Sequence, residues 1–486
     1  MSEAVRNLAP KIIWNHFADL NAVPRPSKKE ERIIQFMINF GKSLQLSTFV
    51  DKVGNVIIKK PATKGFENKK AIVLQSHLDM VHQKNADTIF DFDEEGIKMV
   101  VDGDWVTADG TTLGADNGLG VAAIMAVLSS KDIQHSNIEA LFTIDEETGM
   151  TGAMGLEGGI LKGDILLNLD TEEDNEIGMG CAGGIDVTAT RNYIEEEVPD
   201  HATAFLITVK GLNGGHSGMD IHKGLGNANK IMNRILFDGS LNFGLRISEI
   251  NGGSLRNAIP RESSAIITIN AIQKAIFLSR KNILINNIKE AFLTLEPNLT
   301  IDISATKSPK KVIEIDVQES FLKSMYAAHN GVYKMSPDIT DLVGTSNNIA
   351  RVIVKDGHIK IECLTRSSSE SNSSDLVNSL KSAFELSGFD IELSGEYPGW
   401  KPNINSEILG IVSNLYEKLH GEKANIAACH AGLECGILGQ NYPKMDMISF
   451  GPTILGAHSP EERASISSTQ KFWKFLIAIL KNAPLK

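Results

Sequence analysis

Short apolar runs that end in acids or histidine recur along this chain. "AIVLQSHLD" (71–79), "ALFTIDEE" (140–147) and "DILLNLD" (164–170) share the format, and "MDMISFGPTILGAH" (445–458) repeats it near the C-terminus. Runs that stay apolar rather than alternate read as strands buried on both faces of a sheet. Between the first two lies "NGLGVAAIMAVLSS" (117–130), which reads as a helix. Upstream, Ser27 and Glu30 in "PSKKEERIIQFMINFGKSLQL" form a capping-box pattern that would open an amphipathic helix. Such strands alternating with helices predict an α/β fold with a mostly parallel sheet flanked by helices. Ligands of such sheets gather at the carboxyl ends of the strands, and that is where these acids and histidines stand.

The texture changes from about residue 187 to 398. Strands such as "TAFLITVKGL" (203–212) and "SAIITINAI" (264–272) alternate more, with amphipathic helices between them. Runs of the earlier format stop there and resume after Trp400. The expected organisation is one α/β domain over 1–186 and 399–486, with an α+β domain, 187–398, inserted into it. The one low-complexity stretch is the short "RSSSESNSS" (366–374).

Composition narrows the classes. The chain has 486 residues, 42% hydrophobic and 22% charged, enough for two or three domains at roughly 150 residues each. A net charge of −12, without long Lys or Arg runs, argues against nucleic acid or an anionic membrane as partner. The segment "MSEAVRNLAPKIIWNHF" lacks the basic and then apolar blocks of a signal peptide. The apolar run 121–128 is too short to span a bilayer. A cytoplasmic protein is expected. Cys181, Cys363, Cys429 and Cys435 include no CxxC pair and read as reduced thiols rather than a zinc finger.

The chemistry lies in the recurrence. His77 and Asp79 are two apart at a strand end, so their side chains point the same way. Asp116 lies in the glycine-rich turn "TLGADNG" just before a helix; Glu146 and Glu147 follow the next strand, Asp170 the one after, and His458 the last. Each has an ordinary reading: a structural histidine, an N-capping aspartate, a solvated acidic turn. Repeated at successive strand ends, they make the imidazole and carboxylate ligand set of zinc and its neighbours. Five ligands with an uncoordinated carboxylate suit a two-metal site, with metals about 3.5–4 Å apart.

"SHLDMV", "GADNGLGVAA", "DEETGMTGA" and "LLNLDTE" resemble the motif series of the co-catalytic zinc peptidases that include carboxypeptidase G, succinyl-diaminopimelate desuccinylase, peptidase T and carnosinase. "GGHSGMDIHKGLGNA" and "GGSLRNAIP" resemble that family's lid motifs. "YPGWKPN", "CHAGLECGIL" and "GPTILGAHSPEE" resemble its dipeptidases of aminoacyl-histidine substrates. The match runs over nearly the whole chain in motif order. It implies a metal-dependent dipeptidase acting on unblocked L-dipeptides, Xaa-His included, and a peptide as partner. The cofactor would be two divalent ions per subunit, zinc first, with cobalt or manganese as alternatives. The resemblance makes His77 and Asp170 the separate ends of the metal pair, with Asp116 bridging. Glu147 and His458 complete the ligands, Glu146 is the general base, and Asp79 orients His77. The inserted domain becomes the lid.

That lid is nearly twice as long as in much of the family. Its first part reads strand, helix, two strands, helix, strand from Ala204 to Thr306. Its second part reads similarly, with a helix near 316–330, strands near 340–354 and 358–365, a helix near 373–387 and a last strand to Leu393. An internal duplication is the expectation. His216 of "GGHSG" and Asn257 of "GGSLRNAIP" fall in the first part. Asn270 stands where the family pattern leads one to expect Arg, and Arg366 of "IECLTRS" appears in the corresponding strand of the second part. Two arrangements stay open: a site complete within one chain, or a homodimer in which His216 acts across subunits. His430 and Glu434 of "CHAGLECG" are further substrate-contact candidates, with a polar core as the alternative. His82, His135, His222 and His420 read as surface or structural. Two rival functions can be weighed. "GLGVAA" (118–123) fits a dinucleotide fingerprint but follows a turn rather than a strand. A metal-stabilised binding protein would have no use for Asp79 and Glu146.

Overall fold

The computed structural model describes residues 2–85, 87–337 and 339–486. It divides the chain into two compact units. The first runs to Cys181 and resumes over Trp400–Ala428 and Leu433–Lys486; the second comprises Ala182–Gly399 with the four residues Cys429–Gly432.

The first unit is built on an eight-stranded sheet. Its middle strands Ile138–Thr143, Ile72–His77, Ile165–Asn168 and Asp446–Ser449 lie side by side and parallel, as the apolar runs predicted. The first three are buried at every position. The sheet as a whole is mixed, because Val56–Lys60 and Glu176–Cys181 flank the parallel strands in antiparallel orientation. Helix Ala115–Ser129 is buried along nearly its whole length. Gly120 lets it approach the strands: a Cβ there would stand 2.5 Å from Ser76 Oγ and 2.8 Å from the Leu169 carbonyl. The glycines of "GLGVAA" therefore serve packing inside a helix, and the dinucleotide reading falls.

The capping box does not form. Helix Glu31–Ser43 has Glu30 as its N-cap, without a side-chain cap bond. Ser27 Oγ instead donates to Asp79 Oδ2 at 2.9 Å, and Glu30 Oε1 accepts from the backbone N–H of Asp145. The acid turn packed nearby competes for the groups that would have capped the helix.

The second unit is a nine-stranded sheet covered by helices, and its order repeats itself in mirror image. In chain order its main elements are β1 (Gly183–Asn192), β2 (Ala202–Lys210), α1 (Ala228–Phe243), β3 (Arg246–Gly252), β4 (Ser263–Asn270), α2 (Lys274–Phe292), β5 (Thr300–Ala305), α3 (Ile315–Ala327), β6 (Val343–Lys355), β7 (His358–Ser367), α4 (Glu370–Glu385) and β8 (Asp390–Tyr397). Eight of the strands lie in the order β5-β2-β4-β3-β6-β7-β1-β8, and the ninth, Gly331–Met335, pairs with β6 off that path. The set β2-α1-β3-β4-α2-β5 forms one half, and β1-α3-β6-β7-α4-β8 forms the other with the same connections. Antiparallel β3 and β6 join them. The second half's first strand, β1, precedes the whole first half in sequence, so no local pattern assigns it. A bulge marks equivalent places, between Ile247 and Glu249 in β3 and between Ile349 and Arg351 in β6. From those bulges Ile267 matches Cys363, and three residues on, Asn270 matches Arg366. The polar stretch "RSSSESNSS" opens α4, with Ser369 capping Asn372 N.

Candidate active site

The strand ends of the first unit bring the acids and histidines together. His77 Nε2 lies 3.2 Å from Asp116 Oδ1 and 3.5 Å from Asp170 Oδ1. His458 Nε2 lies 3.2 Å from Asp116 Oδ2 and 3.0 Å from Glu147 Oε2. Asp116 thus belongs to two three-residue groups able to hold an ion, His77–Asp116–Asp170 and Asp116–Glu147–His458, and offers a different oxygen to each histidine. Glu146 joins a third group with His77 and Glu147. Asp79 accepts at Oδ1 from Glu146 N–H and at Oδ2 from Glu147 N–H, which sets the turn after the strand. His77 Nδ1 faces the Asp79 carbonyl at 3.1 Å and its carboxylate at 3.4 Å. Asn117 donates to Asp170 and to the Leu169 carbonyl.

The electrostatics are those of a site short of positive charge. Burial disfavours the cation at His77, yet Asp170, Asp116 and Asp79 outweigh it and hold its pKa well above the histidine range. Hydrogen bonds to Asp116 and Glu147 pull His458 up to about 11. Burial pushes Glu146 well up, with further repulsion from Asp170, Glu147 and Glu434. Glu147 rises through burial and the nearby Asp116. Carboxylates packed this closely demand cations, which protons on the imidazoles supply only in part. Glu147 Oε1 is buried without a hydrogen-bond partner. This donor set fits divalent ions.

Beneath the ligands runs a buried polar layer. Gln75 and Asn168 stand two residues before His77 and Asp170, so they share a strand face with them. Gln75 accepts from Asn168, and Asn168 from Ser449. Glu434 belongs to this layer: it is fully buried and accepts from Gln75 at 2.6 Å and Thr143 at 2.7 Å. Burial, with Asp170 and Asp79 nearby, raises it to about 8. Its other oxygen, Oε1, is buried without a hydrogen-bond partner.

The second unit holds a cationic cluster. His216 and Ala258 pair in a short ladder, and Ser217 N–H donates to the Asn257 carbonyl. His216 Nδ1 accepts from the N–H groups of Gly218 and Met219, so the neutral ring carries its hydrogen on Nε2. Buried Arg366 donates to Ser217 Oγ at 3.2 Å and to Tyr397 Oη at 2.8 Å, and its Nη2 lies 3.4 Å from His216 Nε2. His430 is buried here, 2.7 Å from Ser346 Oγ, with Nδ1 lacking a partner. Burial, then Arg366 and His216, lowers its pKa to about 3. Asn257 joins through its backbone and is itself exposed. His430 and Glu434, four apart in sequence, therefore lie in different units.

Sequence reasoning missed Arg25, Glu462, Ser346 and Tyr397. Glu462 and Tyr397 had a signal, as the last acid of the quoted "GPTILGAHSPEE" and the first residue of the quoted "YPGWKPN"; Arg25 and Ser346 lie in stretches without a motif.

Comparison with known proteins agrees with this geometry. The profile of peptidase family M20/M25/M40 matches residues 73–482. A cytosol non-specific dipeptidase of Escherichia coli (strain K12) is 43% identical over 486 residues, covering all of both chains. The crystal structure of an aminoacylhistidine dipeptidase from Vibrio alginolyticus superposes with a TM-score of 0.90 at 45% identity, again over all of both chains. Aminopeptidase PepT from Bacillus cereus shares the fold at a TM-score of 0.57 and 17% identity, covering 98% of each chain. With four-fifths of its length matched by the family profile and a relative of that identity end to end, this chain belongs to peptidase family M20/M25/M40.

Proposed function

We propose that the chain is a metal-dependent dipeptidase hydrolysing unblocked L-dipeptides, aminoacyl-histidine among them. The observation that carries this reading is Asp116, shared by two ligand groups with Glu146 beside them. Two full-length relatives whose names are those of dipeptidases support the substrate class. His77, Asp116 and Asp170 would hold one ion, and Asp116, Glu147 and His458 the other, with zinc the favoured metal. When bound, the ions supply Lewis acidity toward the scissile carbonyl and raise the acidity of water.

The chain's own residues do the rest. Glu146 takes the proton of the attacking water and delivers it to the leaving amine. Asp79 keeps His77 oriented and the Glu146 turn in place. In the second unit, which we read as the lid, Arg366 would hold the dipeptide carboxylate, assisted by neutral His430. His216, with hydrogen on Nε2, would donate to the oxygen that gains charge.

No helix of the described residues is long and apolar enough to cross a membrane. We place the enzyme in the cytoplasm, as the name of the Escherichia coli relative suggests for that protein. A panel of dipeptides, tripeptides and N-blocked dipeptides tests the reading. Hydrolysis confined to free dipeptides and abolished by a chelator is expected, and comparable rates on blocked substrates would rule it out. Mixing His216→Ala with Glu146→Ala protein under subunit exchange separates the two lid arrangements. No activity should return if one chain supplies both residues, whereas recovery means the residues act across a dimer.

A further inference from the structure

The turn that carries Asp116 is gripped from two sides by buried opposite charges. Glu462 Oε2 accepts from Leu113 N–H at 2.7 Å and Gly114 N–H at 2.8 Å, and its Oε1 accepts from Ala115 N–H at 2.7 Å and Asp116 N–H at 3.2 Å. One carboxylate therefore satisfies four successive amides. On the carbonyl side, Arg25 Nη2 donates to Gly114 O at 2.6 Å and to Asn21 Oδ1 at 3.0 Å. Its Nη1 donates to the carbonyls of Leu78 at 3.0 Å and Asp79 at 3.2 Å, at the end of the His77 strand. Arg25 and Glu462 are only 1% and 2% exposed. Gly114, at φ +69°, could not take a side chain: a Cβ would stand 2.6 Å from Arg25 Nη2.

We propose that Glu462 and Arg25 are positioning residues whose joint grip presents the two oxygens of Asp116 to His77 and His458. Asp116 has ψ 111° and Asn117 is likewise non-helical, so the helix itself does not orient the carboxylate. Glu462 N–H closes a turn on the Ser459 carbonyl directly after His458, and so Glu462 ties one histidine's loop to the Asp116 turn. Arg25 ties that turn to the strand end of the other histidine. The pair spans the Asp116 turn and the segments of both histidines that face its carboxylate, through hydrogen bonds to backbone groups of those segments.

The inference rests on the reading of Asp116 as the bridging ligand, and the test separates the two. Zinc dissociation constants are measured by competition with a chromophoric chelator, and cobalt(II) absorption spectra are recorded, for Asp116→Ala, Glu462→Gln, Glu462→Asp and Arg25→Lys. Residues that brace ligands typically contribute about 10–100-fold in metal affinity. Glu462→Gln, which can offer one oxygen to amides that now share two, should weaken zinc by that factor and alter the cobalt spectrum. Glu462→Asp keeps the charge but not the reach and should fail likewise. Arg25→Lys, which keeps charge and loses the fork, carries the same expectation should the Glu462 variants not fold. Asp116→Ala that lost zinc beside Glu462 and Arg25 variants of native affinity and spectrum would overturn the positioning role alone. Asp116→Ala that bound zinc normally would overturn the reading of the centre.

Discussion

The two units collect their polar residues by opposite routes. In the first, the acids and histidines other than Asp116 stand at or after the ends of four parallel strands, and Asp116 opens a helix packed against them. The result is a cluster of carboxylates that raises His77 and His458 to keep their protons. In the second unit the sheet is antiparallel throughout its main ladder, and the cluster joins His216 to Arg366 across 150 residues. There the charge is positive, and burial together with Arg366 keeps His430 neutral. An acidic nest is built to take cations. A buried guanidinium beside a neutral imidazole suits an anion.

The difference is most sharply broken in the acidic cluster. Glu146→Ala should lower kcat by about 10²–10⁴-fold or more while both ions remain bound, since a general base is lost and no ligand. Asp116→Ala should lose ions along with activity. Metal analysis beside steady-state kinetics checks both, and full metal in Asp116→Ala with depleted metal in Glu146→Ala would exchange the two roles.

The cationic cluster should answer in binding rather than in metal content. Arg366→Ala removes a charged hydrogen-bond donor worth roughly 1.5–3 kcal/mol, so kcat/KM for dipeptides should fall about 10–150-fold, mainly through KM. Its metal content should match the parent's. Loss of metal in this variant would mean that Arg366 acts on the centre rather than on the substrate.

A smaller effect separates the units by pH. His430 has a folded pKa near 3 against an ordinary 6.5, so below pH 6.5 the unfolded chain binds a proton that the folded chain refuses. Its contribution to stability is complete above about pH 6.5 and is lost as pH falls toward 3, with a slope approaching about 1.4 kcal/mol per pH unit. His430→Asn should flatten that part of the melting-temperature profile. An unchanged profile would show that other groups govern acid sensitivity. Smallest of all, Asn270→Arg places the missing guanidinium in the first half of the second unit, at an exposed strand end. Being a surface change, it should alter stability by less than about 0.5 kcal/mol and leave Arg366→Ala unrescued. Rescue, read as recovered KM, would show that the two halves can exchange roles.

What the amino-acid sequence determined by itself was local. Apolar runs closed by acids marked the parallel strands, because a strand buried on both faces needs apolar residues at every position and turns polar only where it leaves the core. His77, Asp116, Glu146, Glu147, Asp170 and His458 could be picked out in this way, since each stands beside the element that carries it. The second unit's two similar halves were legible from the same periodicities. Tertiary structure decided the rest. It took β1 from ahead of the first half to complete the second, because a strand's partner is set by which edges meet and not by sequence distance. It diverted Ser27 and Glu30 from a helix cap to the Asp79 and Asp145 turn. It parted His430 from Glu434, sending one beside Arg366 and the other beneath His77. It set Glu462 against a turn 346 residues or more away. Periodicity records whether a residue is buried, but a buried polar group must also find partners, and those are chosen only when distant segments pack.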